Sequence, residues 1–395
     1  MAPEFMDEES FKSPPEETWE SLASLLKMPE PLFEHTLFCL GYDFSSNSYL
    51  IQGDYLTLID PGNDYTAFMD LFAMGYKLTD IKKIVLTHGH MDHIMGTVEL
   101  FRGYPGYKIS DVEVILHEAG PVQYKELIKE LGCRLIEVKG GEKINLSGFE
   151  FEVIHTPGHT LDGISFYHAP TQTLFTGDTV LPHAMAEMDQ GAGGRLDHYL
   201  YSIRTLLKKD IENVMPGHGG IVGRIGKQVV LDTFEGLIKK MVGLETPWMA
   251  GATQLAQQGL LEEALFYCHK ELYESPENFQ ALEMKAFLLT DLGRNAEAVI
   301  IFDSILQRDP HHFHALLGKG NALLGMGKYA TSLELFDQAL AINPKDQEAQ
   351  LKKGLALYLG GRLDEALDIE IFQREFARRV KHELGKRSEA PAASS

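Results

Sequence analysis

Residues 88–93 read His-Gly-His-Met-Asp-His, directly after the apolar run Ile84-Val85-Leu86-Thr87. Three imidazoles and a carboxylate in six residues have the density and chemistry of metal ligands, and no cysteine lies among them. In extended backbone His88 and His90 point to the same side. Asp92 and His93, adjacent in a tightening turn, point toward a second centre. A lone histidine on an apolar face is more often structural, but this spacing after a buried-looking strand is far more specific. Three further apolar runs end in a turn residue and then a ligand type. Phe151 to Ile154 leads through Thr156-Pro157-Gly158 to His159, Leu174-Phe175-Thr176-Gly177 leads to Asp178, and Val214-Met215-Pro216-Gly217 leads to His218. Loops at one edge of a sheet can bring such residues together although they lie far apart in the chain.

The elements that must hold these residues can be read from short β-branched runs punctuated by Gly, Pro and Asn. Strands are expected at residues 48–52, 55–59, 83–87, 112–117, 150–155, 163–168, 173–176 and 213–215. Amphipathic helices are expected at 66–74, 120–131, 197–207 and 227–243. After residue 245 the pattern changes to a repeat. Pro276, Pro310 and Pro344 recur every 34 residues, as do Gly259, Gly293, Gly327 and Gly361, and Ala264, Ala298, Ser332 and Ala366. Phe302 and Phe336 keep the register, and small residues at Ala286, Gly320 and Gly354 permit close packing of paired helices. This part resembles the tetratricopeptide repeat family, with about four repeats. The last departs from the pattern because Glu370 occupies the aromatic position, as a polar capping repeat would. The array either stiffens or dimerises the molecule or offers a concave face to a protein partner.

With Asn47 to Ile51 and Leu58-Ile59-Asp60-Pro61-Gly62 as opening strands, the ligand-bearing motifs over roughly residues 35–225 resemble the metallo-β-lactamase superfamily. The resemblance implies an α/β fold, an αββα sandwich, followed by an all-α repeat solenoid. It also implies a ligand set. His88, His90 and His159 would hold a first divalent metal, Asp92, His93 and His218 a second, and Asp178 would bridge them. Such a set without cysteine suits zinc, with iron or manganese compatible. Two metals about 3.5–4 Å apart would share a bridging hydroxide. Asp92 would then be the catalytic residue, orienting that hydroxide and relaying a proton. Asp60 reads either as a carboxylate holding a ligand imidazole or as a strand-end cap. His117, His155, His168 and His183 have no pattern behind them and read as structural. His198 and Tyr199 could border the substrate or belong to ordinary helix surface. The glycine-rich, aperiodic stretch 185–196 is expected to be a mobile substrate-covering loop.

The whole chain of 395 residues is long enough for several domains. We expect an acidic extension over 1–34, the hydrolase domain over 35–244, the repeats over 245–384 and a disordered tail over 385–395. Lys plus Arg is 36 against 57 for Asp plus Glu, a net charge of −21 with most of the excess before residue 245, which disfavours nucleic acid. The three cysteines, Cys39, Cys133 and Cys268, form no disulfide or thiolate-metal pattern, and no long apolar run suggests a membrane. A cytoplasmic setting is expected. The anticipated function is hydrolysis of a small ester-like acyl substrate, a lactone, thioester or β-lactam, with the repeats binding a protein or capping the site. The alternatives are a phosphodiesterase or ribonuclease of the same fold, and a repeat-based interaction protein with vestigial hydrolysis.

Overall fold

The computed structural model describes residues 19–42, 44–103 and 109–388. The chain forms two compact units that divide at residue 238. The first carries two sheets. In the larger, seven strands lie in chain order: β1 (Trp19–Ser21), β2 (Thr36–Cys39), β3 (Ser48–Gln52), β4 (Leu56–Ile59), β5 (Ile81–Val85), β6 (Glu113–His117) and β7 (Arg134–Val138). Strands β1 to β4 are antiparallel, whereas β4 to β7 run parallel. Parallel neighbours require crossovers. These contain helices α3 (Thr66–Ala73), α4 (Met91–Gly103) and α5 (Val122–Glu130), which follow the short α1 (Leu22–Leu26) and α2 (Pro31–Glu34). The smaller sheet has the order β12-β11-β10-β9-β8. Its strands are β8 (Lys143–Leu146), β9 (Phe149–His155), β10 (Ile164–His168), β11 (Thr173–Gly177) and β12 (Asn213–Pro216), with α6 (Leu196–Leu207) crossing from β11 to the parallel β12 and α7 (Gly226–Val242) following.

The two-residue period of the strands decides which core each side chain enters. Leu50, Leu58, Ile84 and Val114 pack with Phe68, Leu71, Ile94, Val98 and Ile128 of the helices α3, α4 and α5. Their neighbours Tyr49, Ile51, Ile59, Val85 and Ile115 face the other way, against Phe151, Val153, Ile164, Phe166, Phe175 and Met215 of the second sheet. Leu174 and Val214 alternate out of that inter-sheet core and are equally buried, as are Ile203, Leu206, Val230 and Leu237 of α6 and α7. The result is the expected αββα sandwich.

Both chain ends depart from expectation. Residues 19–34 are folded rather than an extension: β1 pairs with β2, and Trp19, Leu22, Leu32 and Phe33 are buried. Residues 1–18 lie outside the described residues. At the other end, helix continues to Ser388, so the expected disordered tail does not begin at 385, and 389–395 also lie outside the described residues. Among the described residues, no helix is long and apolar enough to cross a membrane.

Among the described residues, the regular elements of the second unit are all helices. Its pairs are α8 (Trp248–Gln257) and α9 (Leu261–Glu274), α10 (Phe279–Asp291) and α11 (Asn295–Arg308), and α12 (Phe313–Gly325) and α13 (Tyr329–Ile342), followed by α14 (Gln347–Leu359), α15 (Leu363–Leu367) and α16 (Glu370–Ser388). The periodic glycines 259, 293, 327 and 361 all take left-handed φ values of 75–81° at the turn after a first helix, where a Cβ would be strained. The N-caps share the period, since the side chains of Asn278, His312 and Asp346 accept from the amides of Ala281, Ala315 and Ala349. In the last repeat the chain breaks between α15 and α16. Phe372, not residue 370, then enters the aromatic position, where a Cβ on Gly354 would lie 2.5 Å from its own Cβ. Glu370 therefore does not leave that position polar, because Phe372 is buried there.

Candidate metal centre

The chemistry-bearing residues leave the ends of four strands. After β5 the chain crosses Leu86-Thr87 and supplies His88 and His90 before α4 begins at Met91. Asp92 and His93 thus lie in the first turn of a helix rather than in a simple tightening turn. The His90 carbonyl accepts from His93 N–H at 3.0 Å, which fixes where that helix starts. His159 comes from the loop between β9 and β10, Asp178 directly follows β11, and His218 follows β12. A Cβ on Gly217 would stand 2.3 Å from Asp178 Oδ1 and 2.7 Å from His93 Cε1, so the β12 turn can approach this closely only with glycine.

All seven residues named from the sequence come together. Potential ligand atoms of His88, His90 and His159 lie within 4.8 Å of one another, as do those of Asp92, His93 and His218, and those of His88, His93 and Asp178. Asp178 stands between the two triads, with Oδ2 at 3.7 Å from His159 Nε2 and 3.6 Å from His218 Nε2. The inward nitrogens face each other: His90 Nδ1 and His159 Nε2 are 3.0 Å apart, and His93 Nε2 and His218 Nε2 3.3 Å. His88 Nε2 and Asp178 Oδ1 are buried with no hydrogen-bond partner. Leaving buried polar atoms unpaired costs about 1–3 kcal/mol each. Lone pairs converging without donors are what a cation would satisfy, and the nitrogen and oxygen set fits one.

Electrostatics separates the members. Burial opposes charge on His93, but the adjoining Asp60 and Asp178 carboxylates override it and raise its pKa well above the ordinary imidazole range. His88, buried and beside His93, is pushed the other way. Burial also lowers His159. Asp178 resists its own burial because His93, His88 and His218 surround it, and it stays far below the usual carboxylate range. Asp92 is likewise held low, against its partial burial, by His218, whose own pKa it raises across a 3.0 Å contact.

Around these residues Asp60 resolves its two readings. Its Oδ1 accepts from Thr87 N–H at 2.8 Å, and its Oδ2 accepts from the Thr87 hydroxyl at 2.6 Å and from His93 Nδ1–H at 2.8 Å. It therefore holds the His93 imidazole and the strand end together. Asn47, which the sequence offered only as part of a strand opening, steadies the His218 turn. Its Nδ2 donates to the carbonyls of Pro216 and Gly219, and its backbone N–H donates to that of Gly217 at 2.6 Å. No motif announces such a role, because its acceptors are backbone atoms about 170 residues away.

Two expectations are corrected. Tyr199 is buried, donating to the Thr179 carbonyl at 2.8 Å, so it supports the Asp178 turn instead of bordering a substrate. The 185–196 stretch is pinned to the His159 loop by Asp189 N–H to His159 O, Leu161 N–H to Ala192 O and Arg195 N–H to Gly158 O, at 2.8–2.9 Å. Its lack of periodicity reflects these irregular bonds. His117 and His155 stack at 4.0 Å, His168 bonds Thr171, and His183 adopts a left-handed turn; none joins the three ligand groups. A cavity of about 630 Å³ opens beside Asp92 and His218, and its other lining residues include Tyr42, Phe44 and Met91.

Residues 41–218 match the model of the metallo-β-lactamase superfamily, and residues 317–374 that of a tetratricopeptide repeat. A probable metallo-hydrolase of Methanocaldococcus jannaschii is 34% identical over 201 residues, which cover 47% of this chain and 93% of that protein. The atrochrysone carboxyl ACP thioesterase of Aspergillus aculeatus is 25% identical over 190 residues, 47% of this chain and 54% of its own. A hydroxyacylglutathione hydrolase of Pseudomonas aeruginosa is 30% identical over 151 residues, 38% of this chain and 52% of its own. The chain therefore spans about half the length of several curated relatives it matches. It belongs to the metallo-β-lactamase superfamily, and its second unit carries tetratricopeptide repeats.

Proposed function

We propose that the protein is a dinuclear metal-dependent hydrolase acting on an acyl substrate, a thioester or lactone before a β-lactam. The observation that carries this reading is the convergence of seven His and Asp side chains, with His88 Nε2 and Asp178 Oδ1 buried and unpaired among them, beside an open cavity. His88, His90 and His159 would hold one cation, Asp92, His93 and His218 the other, and Asp178 both. When bound, two divalent ions, zinc in the first instance and iron or manganese as compatible substitutes, supply Lewis acidity that activates water and polarises a carbonyl. The chain's own residues do the rest. Asp92 is the one carboxylate of the set that lines the cavity, so it is placed to orient an attacking water and take up its proton. Tyr42, Phe44 and Met91, 75, 89 and 67% exposed, present an apolar wall that suits the hydrocarbon part of an acyl group.

The names of the fungal and bacterial relatives, a thioesterase and a hydroxyacylglutathione hydrolase, support acyl chemistry. The net charge of −21 argues against a phosphodiester polymer. The repeats would serve a protein partner. The test is metal content per chain, followed by turnover of a lactone, a thioester, a chromogenic β-lactam and a phosphodiester. Two metals per chain and turnover of the thioester or lactone, abolished by chelation, are expected. Turnover of the phosphodiester alone would sink the acyl reading. Asp92→Ala should lower kcat by about 100-fold or more. Full turnover in that variant would remove Asp92 from the mechanism.

A further inference from the structure

The pinned 185–195 loop touches two of the imidazoles of the first triad. His159 donates its Nδ1 proton to the Glu187 carbonyl, which leaves Nε2 facing inward. Two residues on, Asp189 is fixed at every point. Its N–H donates to the His159 carbonyl at 2.8 Å, and its own carbonyl accepts from Gly194 N–H at 2.7 Å. One carboxylate oxygen, Oδ1, accepts from the amides of Gly191 and Ala192 at 2.8 and 3.2 Å. The other, Oδ2, stands 3.1 Å from His90 Nε2.

A neutral imidazole carries one proton, and the partner of one nitrogen decides which nitrogen is free to bind a metal. A carboxylate accepts and cannot donate, so it holds the proton on Nε2. The lone pair of His90 is then on Nδ1, the atom 3.0 Å from His159 Nε2 inside the triad. We propose that Asp189 is a positioning residue that fixes the tautomer and ring plane of His90, and so sets the affinity of the first metal position. This inference rests on the metal-binding reading above.

The fixed turn makes the asparagine variant sharper than a simple loss of charge. In Asp189→Asn the amide oxygen still accepts from Gly191 and Ala192, so the turn survives, but the amide nitrogen now presents hydrogens to His90 Nε2. That favours a proton on Nδ1, where the metal needs a lone pair. Asp197→Asn is the control: it removes the same charge from a nearby exposed carboxylate bonded to Arg195.

Metal-free wild type, Asp189→Asn and Asp197→Asn are titrated with zinc against a chromophoric chelator, and the protonated nitrogen of each imidazole is read by 15N NMR before zinc is added. Wild type and Asp197→Asn should take up two equivalents, with His90 protonated on Nε2. Asp189→Asn should keep one equivalent at wild-type affinity, bind the other about 10- to 100-fold more weakly, and show His90 protonated on Nδ1. Unchanged affinities in Asp189→Asn, or His90 protonated on Nδ1 in metal-free wild type, would overturn the inference. The second result needs no variant, so a misfolded mutant leaves the test standing. Failure of wild type to bind zinc would instead remove the metal reading, while the NMR still decides the tautomer.

Discussion

One buried carboxylate, Asp60, serves three donors, and this lets a residue outside the seven-residue cluster control the orientation of His93 within it. Asp60→Ala would strand Thr87 N–H and His93 Nδ1–H in a site where Asp60 is 2% exposed. We expect a loss of about 3 kcal/mol in the unfolding free energy of the metal-free protein, measured in urea, with His93 less well ordered. The three thiols make a second residue-scale prediction. Burial pushes Cys39, Cys133 and Cys268 each up to about 12. The unfolded thiols ionise near 9, so between pH 9 and 12 the unfolded state holds fewer protons and stability must fall as pH rises. Below pH 9 all three should resist Ellman's reagent until denaturant is added, and rapid labelling of the native protein would contradict their burial. At this scale the convergence of the HxHxDH run with its three distant partners was legible, because each of these residues follows a recognisable strand end. Asp189 was not: its partner His90 is 99 positions away, and its glycine-rich surroundings carry no periodicity.

Among the elements, legibility followed burial only in part, since the buried strand β2 was not expected either. Strand β3 appears at its expected limits, since its residues are almost wholly buried and its flanks are polar or turn-forming. Strands β7 and β8 were missed because they are edge strands with mixed exposure, and sequences such as Arg134-Leu-Ile-Glu-Val138 give no clean alternation. Helix α4 was missed altogether, because the His- and Asp-rich run overlays its first turn and masks its helical period. Three variants test the elements. Phe372→Ala should cost the repeat unit about 3–5 kcal/mol by leaving a cavity against Gly354, whereas Glu370→Ala should change stability by less than about 0.5 kcal/mol. The reverse order in thermal melts followed by circular dichroism would mean that residue 370 holds the aromatic position after all. Gly217→Ala should cut metal uptake while leaving the secondary structure intact, because its methyl group would displace Asp178 and His93.

At the scale of the whole molecule, a charge of −21 sets a long-range field. Raising ionic strength should increase kcat/KM for an anionic acyl substrate by relieving repulsion, and leave a neutral lactone almost unaffected. A fall with salt for the anionic substrate would reveal a local basic patch that overrides the net charge. The topology carries a kinetic consequence as well. The seven side chains span residues 88 to 218 and reach one another only when both sheets have formed and closed face to face. Bringing distant segments together is the slow part of folding, and here it precedes the site. A cation therefore arrives as a late guest in a house already built: stripping it should silence the protein long before it unfolds it, and refolding should run at the same speed whether zinc is in the buffer or not.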